Sequence, residues 1–159
     1  MRTIRLQRED FDAAAEAARL TRGRTDVGAV VTFSGICRGA GDGEPIGAMT
    51  LEHYPGMAEA EIDRHVAEAE SRWALLGVTV IHRYGRLVPG DNIVLVVTAA
   101  AHRGDAFAAA EFLMDYLKTR APFWKQEERA DGPAWVEARE ADAAAAERWS
   151  EPRRRDAAE

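Results

Sequence analysis

The chain contains only two lysines, Lys118 and Lys125, and they lie seven positions apart. The other 19 of its 21 basic residues are arginine, although lysine is normally among the commonest residues. Arginine stays protonated in proteins, whereas a lysine amine can be tuned towards a neutral, nucleophilic form. Two amines in one short segment therefore suggest amine chemistry. The alternative is that both are solvated surface charges in a chain of biased composition.

Other cationic residues follow predicted strands. Arg38 comes directly after a predicted buried strand over Val27–Ile36, and His102 and Arg103 come after a strand predicted over Asn92–Ala101. Functional residues often gather at such element ends. A His-Arg pair that precedes a helix could bind phosphate with help from the helix N-terminus. The alternative for each residue is helix capping or a solvated charge.

Other kinds of catalytic motif are missing from the sequence. The four histidines lack the spacing of metal ligands, so no metal site is expected. The glycine-rich stretch 39–43 lacks the Gly-Lys-Ser/Thr of a phosphate loop, and no Gly-x-Ser-x-Gly elbow occurs. Cys37 beside Arg38 could be a nucleophile of lowered pKa. A lone cysteine is also commonly a small buried apolar residue.

The bulk composition limits the class of protein. The 159 residues fit one domain, expected over 1–149 with a disordered tail at 150–159, and 47% hydrophobic residues allow a real core. A net charge of −6 argues against general nucleic-acid binding, so a local cluster of cations indicates a small anion or a partner's terminus. One cysteine, no signal peptide and no membrane-length apolar run indicate a cytoplasmic protein.

Periodicity predicts strands mixed with two long helices, and therefore one α+β domain. Asp10 is expected to cap a short helix that ends near Leu20, and Asp105 a long one that ends near Arg120 before Pro122. Lys118 then lies in a last helical turn, where a cation suits the helix dipole. The other expected elements are strands over 3–7, 27–36, 48–53, 78–84 and 92–101, a flexible loop over 39–45, a helix over 58–73, a hairpin over 123–129 and 134–139, and a final helix over 141–149.

Two expected helices have clear apolar faces. Ile62, Val66, Ala69 and Trp73 share one face of the first. The inner face expected for the second is made of Phe107, Ala110, Met114 and Leu117.

Several segments, taken in order, closely resemble the large, catalytic subunit of molybdopterin synthase. The resemblance covers about residues 27–149, and no single generic motif carries it. The segments are Thr50-Leu51-Glu52-His53-Tyr54-Pro55-Gly56-Met57, Val80-Ile81-His82-Arg83, Ala101-His102-Arg103, the run of residues 114–125 (MDYLKTRAPFWK), and Trp135-Val136-Glu137-Ala138-Arg139.

The resemblance implies an α+β fold of the α/β-hammerhead type with an additional antiparallel β subdomain. It implies a sulfurtransferase that converts cyclic pyranopterin monophosphate to molybdopterin by inserting two dithiolene sulfurs. The sulfur would come from the C-terminal Gly-Gly thiocarboxylate of a small ubiquitin-like carrier subunit. The expected assembly is a homodimer within a heterotetramer. No cofactor, metal, nucleic acid or membrane is implied.

The resemblance also implies which residues form the site. Lys118 matches the family's essential lysine and Lys125 its second active-site lysine, and both are expected to be catalytic and to bind substrate. The remaining expected substrate-binding residues are Ile36, Cys37, Arg38, His102, Arg103, Gln126 and Glu127. Ile36-Cys37 departs from the pair usual before that arginine.

Two other functions remain open from the residues alone. A non-catalytic anion-binding module would use the same cations and tolerate Lys→Arg changes. A docking module would capture a partner's C-terminal tail without chemistry.

Overall fold

The computed structural model describes residues 1–137 and 140–150. The elements are β1 (Arg2–Gln7), α1 (Ala13–Thr21), β2 (Ala29–Ile36), β3 (Ala40–Gly41), β4 (Glu44–Pro45), β5 (Ala48–His53), α2 (Met57–Arg72), β6 (Leu75–Arg83), β7 (Gly85–Leu87), β8 (Asn92–Ala100), α3 (Arg103–Thr119), β9 (Phe123–Arg129), β10 (Gly132–Val136) and α4 (Glu140–Glu147). The predicted α+β class is confirmed.

The main sheet has the strand order β1-β6-β8-β2, in which β1 is parallel to β6 and the other pairs are antiparallel. Its two central strands, β6 and β8, are largely buried because both faces are covered. Helices α2 and α3 pack on one face, and the four residues predicted for the inner face of α2 are all buried there. Helix α1 packs on the other face against Ile81, Leu95 and Val97.

The second sheet is antiparallel and has the order β10-β9-β5-β7. It corresponds to the additional antiparallel unit that the resemblance implies. Met49, Leu51 and Leu87 form a small apolar cluster on it with Cys37. Strand β9 follows α3 after a short connection, so this sheet lies next to the C-terminal end of α3.

The predicted caps of two helices were wrong. The side chain of Asp12 caps α1 by accepting from the Ala15 amide at 2.9 Å, whereas Asp10 accepts from Phe11 and Asn92. Helix α3 begins earlier than expected, at Arg103, so Asp105 lies within its first turn. At α1 a second aspartate takes the cap, whereas the N-cap residue of α3, His102, makes no side-chain capping bond.

Two predictions about exposure were also wrong. Strand β2 was expected to be buried, but it is an edge strand whose Val30, Phe33 and Ile36 are exposed. Phe107 was expected on the inner face of α3 and is 62% exposed; Ala106, Ala109 and Leu113 are buried instead. The glycine-rich loop at 39–45 contains a short hairpin, β3–β4. Apolar composition alone does not separate an edge strand from a central one.

The C-terminal hairpin is confirmed as β9 and β10, although β10 begins at Gly132 and not at Ala134. The proposed end of the second hairpin strand at residues 138–139, and all of the predicted disordered tail except Ser150, lie outside the described residues. In the part of the chain that is described, no helix has the length and apolarity needed to cross a membrane.

Candidate active site

A cavity of about 770 Å³ lies where the end of β2, the last turns of α3 and strand β9 meet. Four cationic side chains line it: Arg38, Lys118, Lys125 and Arg129. Four acidic side chains also line it: Asp42, Glu127, Glu137 and Asp142. Among the residues that the structure describes, the charges on the cavity wall therefore balance, and the cationic character is local.

Lys118 reaches the cavity from the last turn of α3. The helix ends there because Pro122 follows, and the amides of Arg120 and Ala121 both donate to the Tyr116 carbonyl at 2.8 and 3.2 Å. The chain then enters β9 directly. This connection brings the two lysines, seven positions apart in sequence, to the same cavity.

Lys125 belongs to a charged cluster on β9. Its Nζ lies 3.0 Å from Glu127 Oε1, and Arg129 donates to Glu127 Oε2 at 2.7 Å. Alternation along a strand places the three side chains on one face. Burial would raise the pKa of Glu127, but the hydrogen bonds from Arg129 and Lys125 outweigh it and lower that pKa. The cluster thus holds two cations around one carboxylate.

Arg38 and Ile36, both predicted to bind substrate, also line the cavity. The backbone between them is fixed to the turn before β8, because the Cys37 amide donates to the Asp91 carbonyl and Gly90 donates to the Cys37 carbonyl, both at 2.8 Å. This pair of bonds holds Arg38 at the cavity while its side chain stays exposed.

Cys37 and Gln126 do not line the cavity. Cys37 is only 4% exposed and packs among apolar residues of the second sheet. Burial raises the pKa of its thiol, as do Asp91 and Glu127, so the lowered pKa of a nucleophile is contradicted. Gln126 lies between Lys125 and Glu127 on β9, and alternation turns it to the opposite face.

His102 and Arg103 are exposed at the opposite end of α3 and do not line the cavity of their own chain. Lys118 lies fifteen positions after Arg103, which corresponds to about 22 Å along a helix. Within one chain, the structure does not bring the His-Arg pair to the lysines.

His82 and Arg129 also line the cavity, although neither was predicted from the sequence as a site residue. Arg129 follows Lys125 and Glu127 at two-residue spacing, which is the strand periodicity that would have placed it beside them. His82 ends the Val80-Ile81-His82 stretch of β6, and no sequence signal separates it from a core histidine. Its buried imidazole is stacked on Phe123, with ring centroids 4.0 Å apart.

The fold and the cavity together define an α+β protein with two lysine amines and two arginines on the wall of one cavity. The family model for the MoaE protein matches residues 6–120. Catalytic subunits of molybdopterin synthase from Mesorhizobium japonicum and Rhizobium meliloti are 64% and 59% identical over 149 and 150 residues. The alignments cover 92% and 93% of this chain, and 92% and 96% of those proteins.

Solved structures give the same result. The molybdopterin biosynthesis MoaE protein from Burkholderia ambifaria has a TM-score of 0.80 and 51% identity, and covers 94% of this chain and 99% of its own. Molybdopterin synthase from Staphylococcus aureus has a TM-score of 0.76 and 28% identity. The match covers 83% of this chain and 95% of the Staphylococcus aureus chain. The chain belongs to the MoaE family, the catalytic subunits of molybdopterin synthase.

Proposed function

We propose that this chain inserts the dithiolene sulfurs of molybdopterin into cyclic pyranopterin monophosphate. The sulfur donor is the C-terminal thiocarboxylate of a small ubiquitin-like carrier subunit. The observation that carries the proposal is the convergence of both lysines of the chain on one cavity. A single buried, unpaired cysteine fits a reducing compartment, and we place the reaction in the cytoplasm.

Both reactants are anionic, and the cavity offers separate cations to each. Arg38 is suited to the substrate phosphate, because its guanidinium can donate two charge-assisted hydrogen bonds at once. Lys125, held by Glu127, is suited to the thiocarboxylate and to the oxyanion that forms when its acyl carbon is attacked. Since Lys125 is anchored, its charge does not have to be reoriented during the reaction.

Lys118 is the residue we assign to amine chemistry. In each transfer the thiocarboxylate sulfur forms a bond to a substrate carbon while a carbon–oxygen bond at that carbon breaks. The oxygen leaves as the opened phosphate ester or as water, and an acyl thioester joins carrier and substrate. Water then adds to the acyl carbon, the acyl–sulfur bond breaks, sulfur stays on the substrate, and the carrier leaves as a carboxylate. Lys118 would move protons in these steps or stabilise the acyl intermediate, and both roles need a titratable amine.

His102 and Arg103 enter the site only if a second copy supplies them. Strand β2 is an edge strand with exposed apolar side chains, a feature typical of strands that pair with another chain. If the β2 strands of two copies pair antiparallel about a twofold axis, the Ala29 end of one strand lies beside the Ile36 end of the partner's strand. Ala29 pairs with Ala100, two residues before His102.

The dimensions agree with this arrangement. The seven-residue step from Ala29 to Ile36 spans about 23 Å of strand, close to the length of helix between Arg103 and Lys118. We therefore propose a homodimer, within a heterotetramer with two carriers, in which the partner's His-Arg pair completes the phosphate site beside Arg38.

The direct test is incubation of the protein with thiocarboxylated carrier and the pterin precursor, followed by mass spectrometry of the pterin. The proposal requires product that carries two added sulfurs and carrier that returns as carboxylate. An anion-binding module would bind the precursor and leave its mass unchanged. A tail-docking module would bind the carrier and leave its thiocarboxylate intact.

A further inference from the structure

Two histidines of the main sheet and its helices are buried in similar ways but face different surroundings. In His82 and in His65, Nδ1 lies 2.8 Å from a backbone carbonyl, that of Arg83 and of Glu61 respectively. Each ring is stacked on an aromatic side chain, Phe123 for His82 and Tyr116 for His65. Only His82 lines the cavity.

The hydrogen bond at Nδ1 fixes what the rest of the His82 ring can do. A backbone carbonyl only accepts, so Nδ1 must carry the proton, and in the neutral imidazole Nε2 is then an acceptor. Burial is the main reason that the pKa of His82 is lowered to about 4, and the nearby charge of Lys118 contributes to that value, so the ring is neutral at pH 7. Stacking on Phe123 at an interplanar angle of 16° prevents the ring from turning away.

Lys118 lines the same cavity as His82, and its charge acts on the His82 ring. Its side chain is exposed at the end of a helix and has four rotatable bonds, so helix geometry alone does not fix where the amine lies. The other lysine is held by an ion pair to Glu127. A carboxylate beside Lys118 would hold its amine in the charged form, whereas a neutral acceptor can hold either form.

We propose that His82 is a positioning residue for Lys118, whose amine donates a hydrogen bond to Nε2 of the neutral imidazole. The stacked ring thereby holds the amine toward the acyl carbon of the bound thiocarboxylate. This inference deepens the proposed function and rests on it for the identity of the reactant. The contact between His82 and Lys118 can nevertheless be tested without any reactant.

The first test uses the fact that the chain has only two lysines. Protein labelled with ¹³C at lysine Cε gives two side-chain signals, and Lys125→Arg assigns them by removing one. In His82→Phe, which keeps an aromatic ring on Phe123 but lacks Nε2, we expect the midpoint of the Lys118 titration to move by about half a pH unit or more. The Lys125 signal should keep its midpoint, and the matched variant His65→Phe should move neither.

The second test measures turnover. We expect His82→Phe to lower kcat by about 10-fold or more with KM for the pterin changed less than about 3-fold, since positioning acts on the reacting amine. His82→Gln, whose amide oxygen can reach the position of Nε2, should recover a large part of kcat. His82→Asn, which is too short to reach it, should not.

Two results would overturn the proposal: unchanged titration of Lys118 in folded His82→Phe, or wild-type kcat in that variant. If His82→Phe does not fold, the titration of Lys118 is measured in His82→Asn instead. If wild-type protein makes no molybdopterin, the proposed function fails, while the titration still decides whether His82 holds Lys118.

Discussion

Glu127 holds Lys125 on the wall of the cavity: the ammonium lies 3.0 Å from a carboxylate whose side chain is only 5% exposed. The same carboxylate also accepts from Arg129. The two lysines therefore differ in their surroundings, since Lys125 is anchored by a buried anion and Lys118 lies near a neutral imidazole. This difference supports a division of roles in which Lys125 supplies fixed charge and Lys118 supplies a titratable amine.

Removing the anchoring charge should lower activity. Glu127→Gln leaves two neighbouring cations without their shared anion, so we expect Lys125 to move and kcat to fall by about 10-fold. The free energy of unfolding should fall by about 1–2 kcal/mol. The matched control is Glu128→Gln, because Glu128 pairs with Arg86 and alternation places it on the other face of β9. Steady-state kinetics and urea unfolding measure both variants; equal effects in the two would contradict the anchoring role.

Active sites shared between two chains should be restored by mixing two inactive variants. A dimer of Lys118→Ala with Arg103→Ala would have one site with both defects and one intact site. Random reassembly should therefore recover up to about a quarter of wild-type activity. The assay follows product formation after the variants are mixed under conditions that exchange subunits. Recovery near zero, with mixed dimers verified by mass spectrometry, would mean that each site is built from one chain.

Acidification should destabilise the protein through its buried histidines. Burial holds the pKa of His82 near 4, below its ordinary value of 6.5, and burial also lowers the pKa of His65. The unfolded chain therefore binds more protons than the folded chain between pH 6.5 and 4. Stability is complete above pH 6.5 and falls by up to about 3 kcal/mol through His82 as the pH drops to 4.

This dependence can be measured as the free energy of unfolding against pH. His82→Phe should flatten the curve between pH 6.5 and 4, and the remaining slope should shrink again when His65→Phe is added. An unaltered slope in His82→Phe would show that His82 is not buried in its neutral form.

Two glycines near His102 should respond in opposite ways to alanine. A Cβ on Gly28 would collide with the carbonyl oxygen of Ala101, so Gly28→Ala must displace the backbone just before His102. We expect it to cost about 2–3 kcal/mol and to reduce activity. Gly104→Ala meets no atom within 4 Å and lies within α3, so it should be neutral or stabilising. Thermal unfolding of both variants measures these changes in stability.

Much of the fold was predictable because its elements carry strong local signals. The helix with Ile62, Val66 and Trp73 has a clear 3.6-residue period, and Pro122 marks the end of α3. The order of the main sheet could not be derived, because nothing local in Val30 or Phe33 says that their strand lies at an edge. For the same reason, the sequence did not indicate that Phe107 is exposed.

The site was predictable in part. Arg38, Lys118, Lys125 and Glu127 do line one cavity, and the sequence motifs had identified them. The predicted helix between them already placed His102 about a helix length from Lys118, while the resemblance assigned both residues to one site. The sequence could not indicate how the two positions meet, and this makes the dimer a central part of the proposal.

The central claim is that sulfur insertion needs the amine of Lys118. Lys118→Arg keeps the charge and approximate length of the side chain but removes a group that can lose its proton. We predict that this variant, folded and bound to thiocarboxylated carrier, forms molybdopterin at least about 100-fold more slowly than wild type, whereas Lys125→Arg retains more activity. Product formation by Lys118→Arg at the wild-type rate would contradict the account.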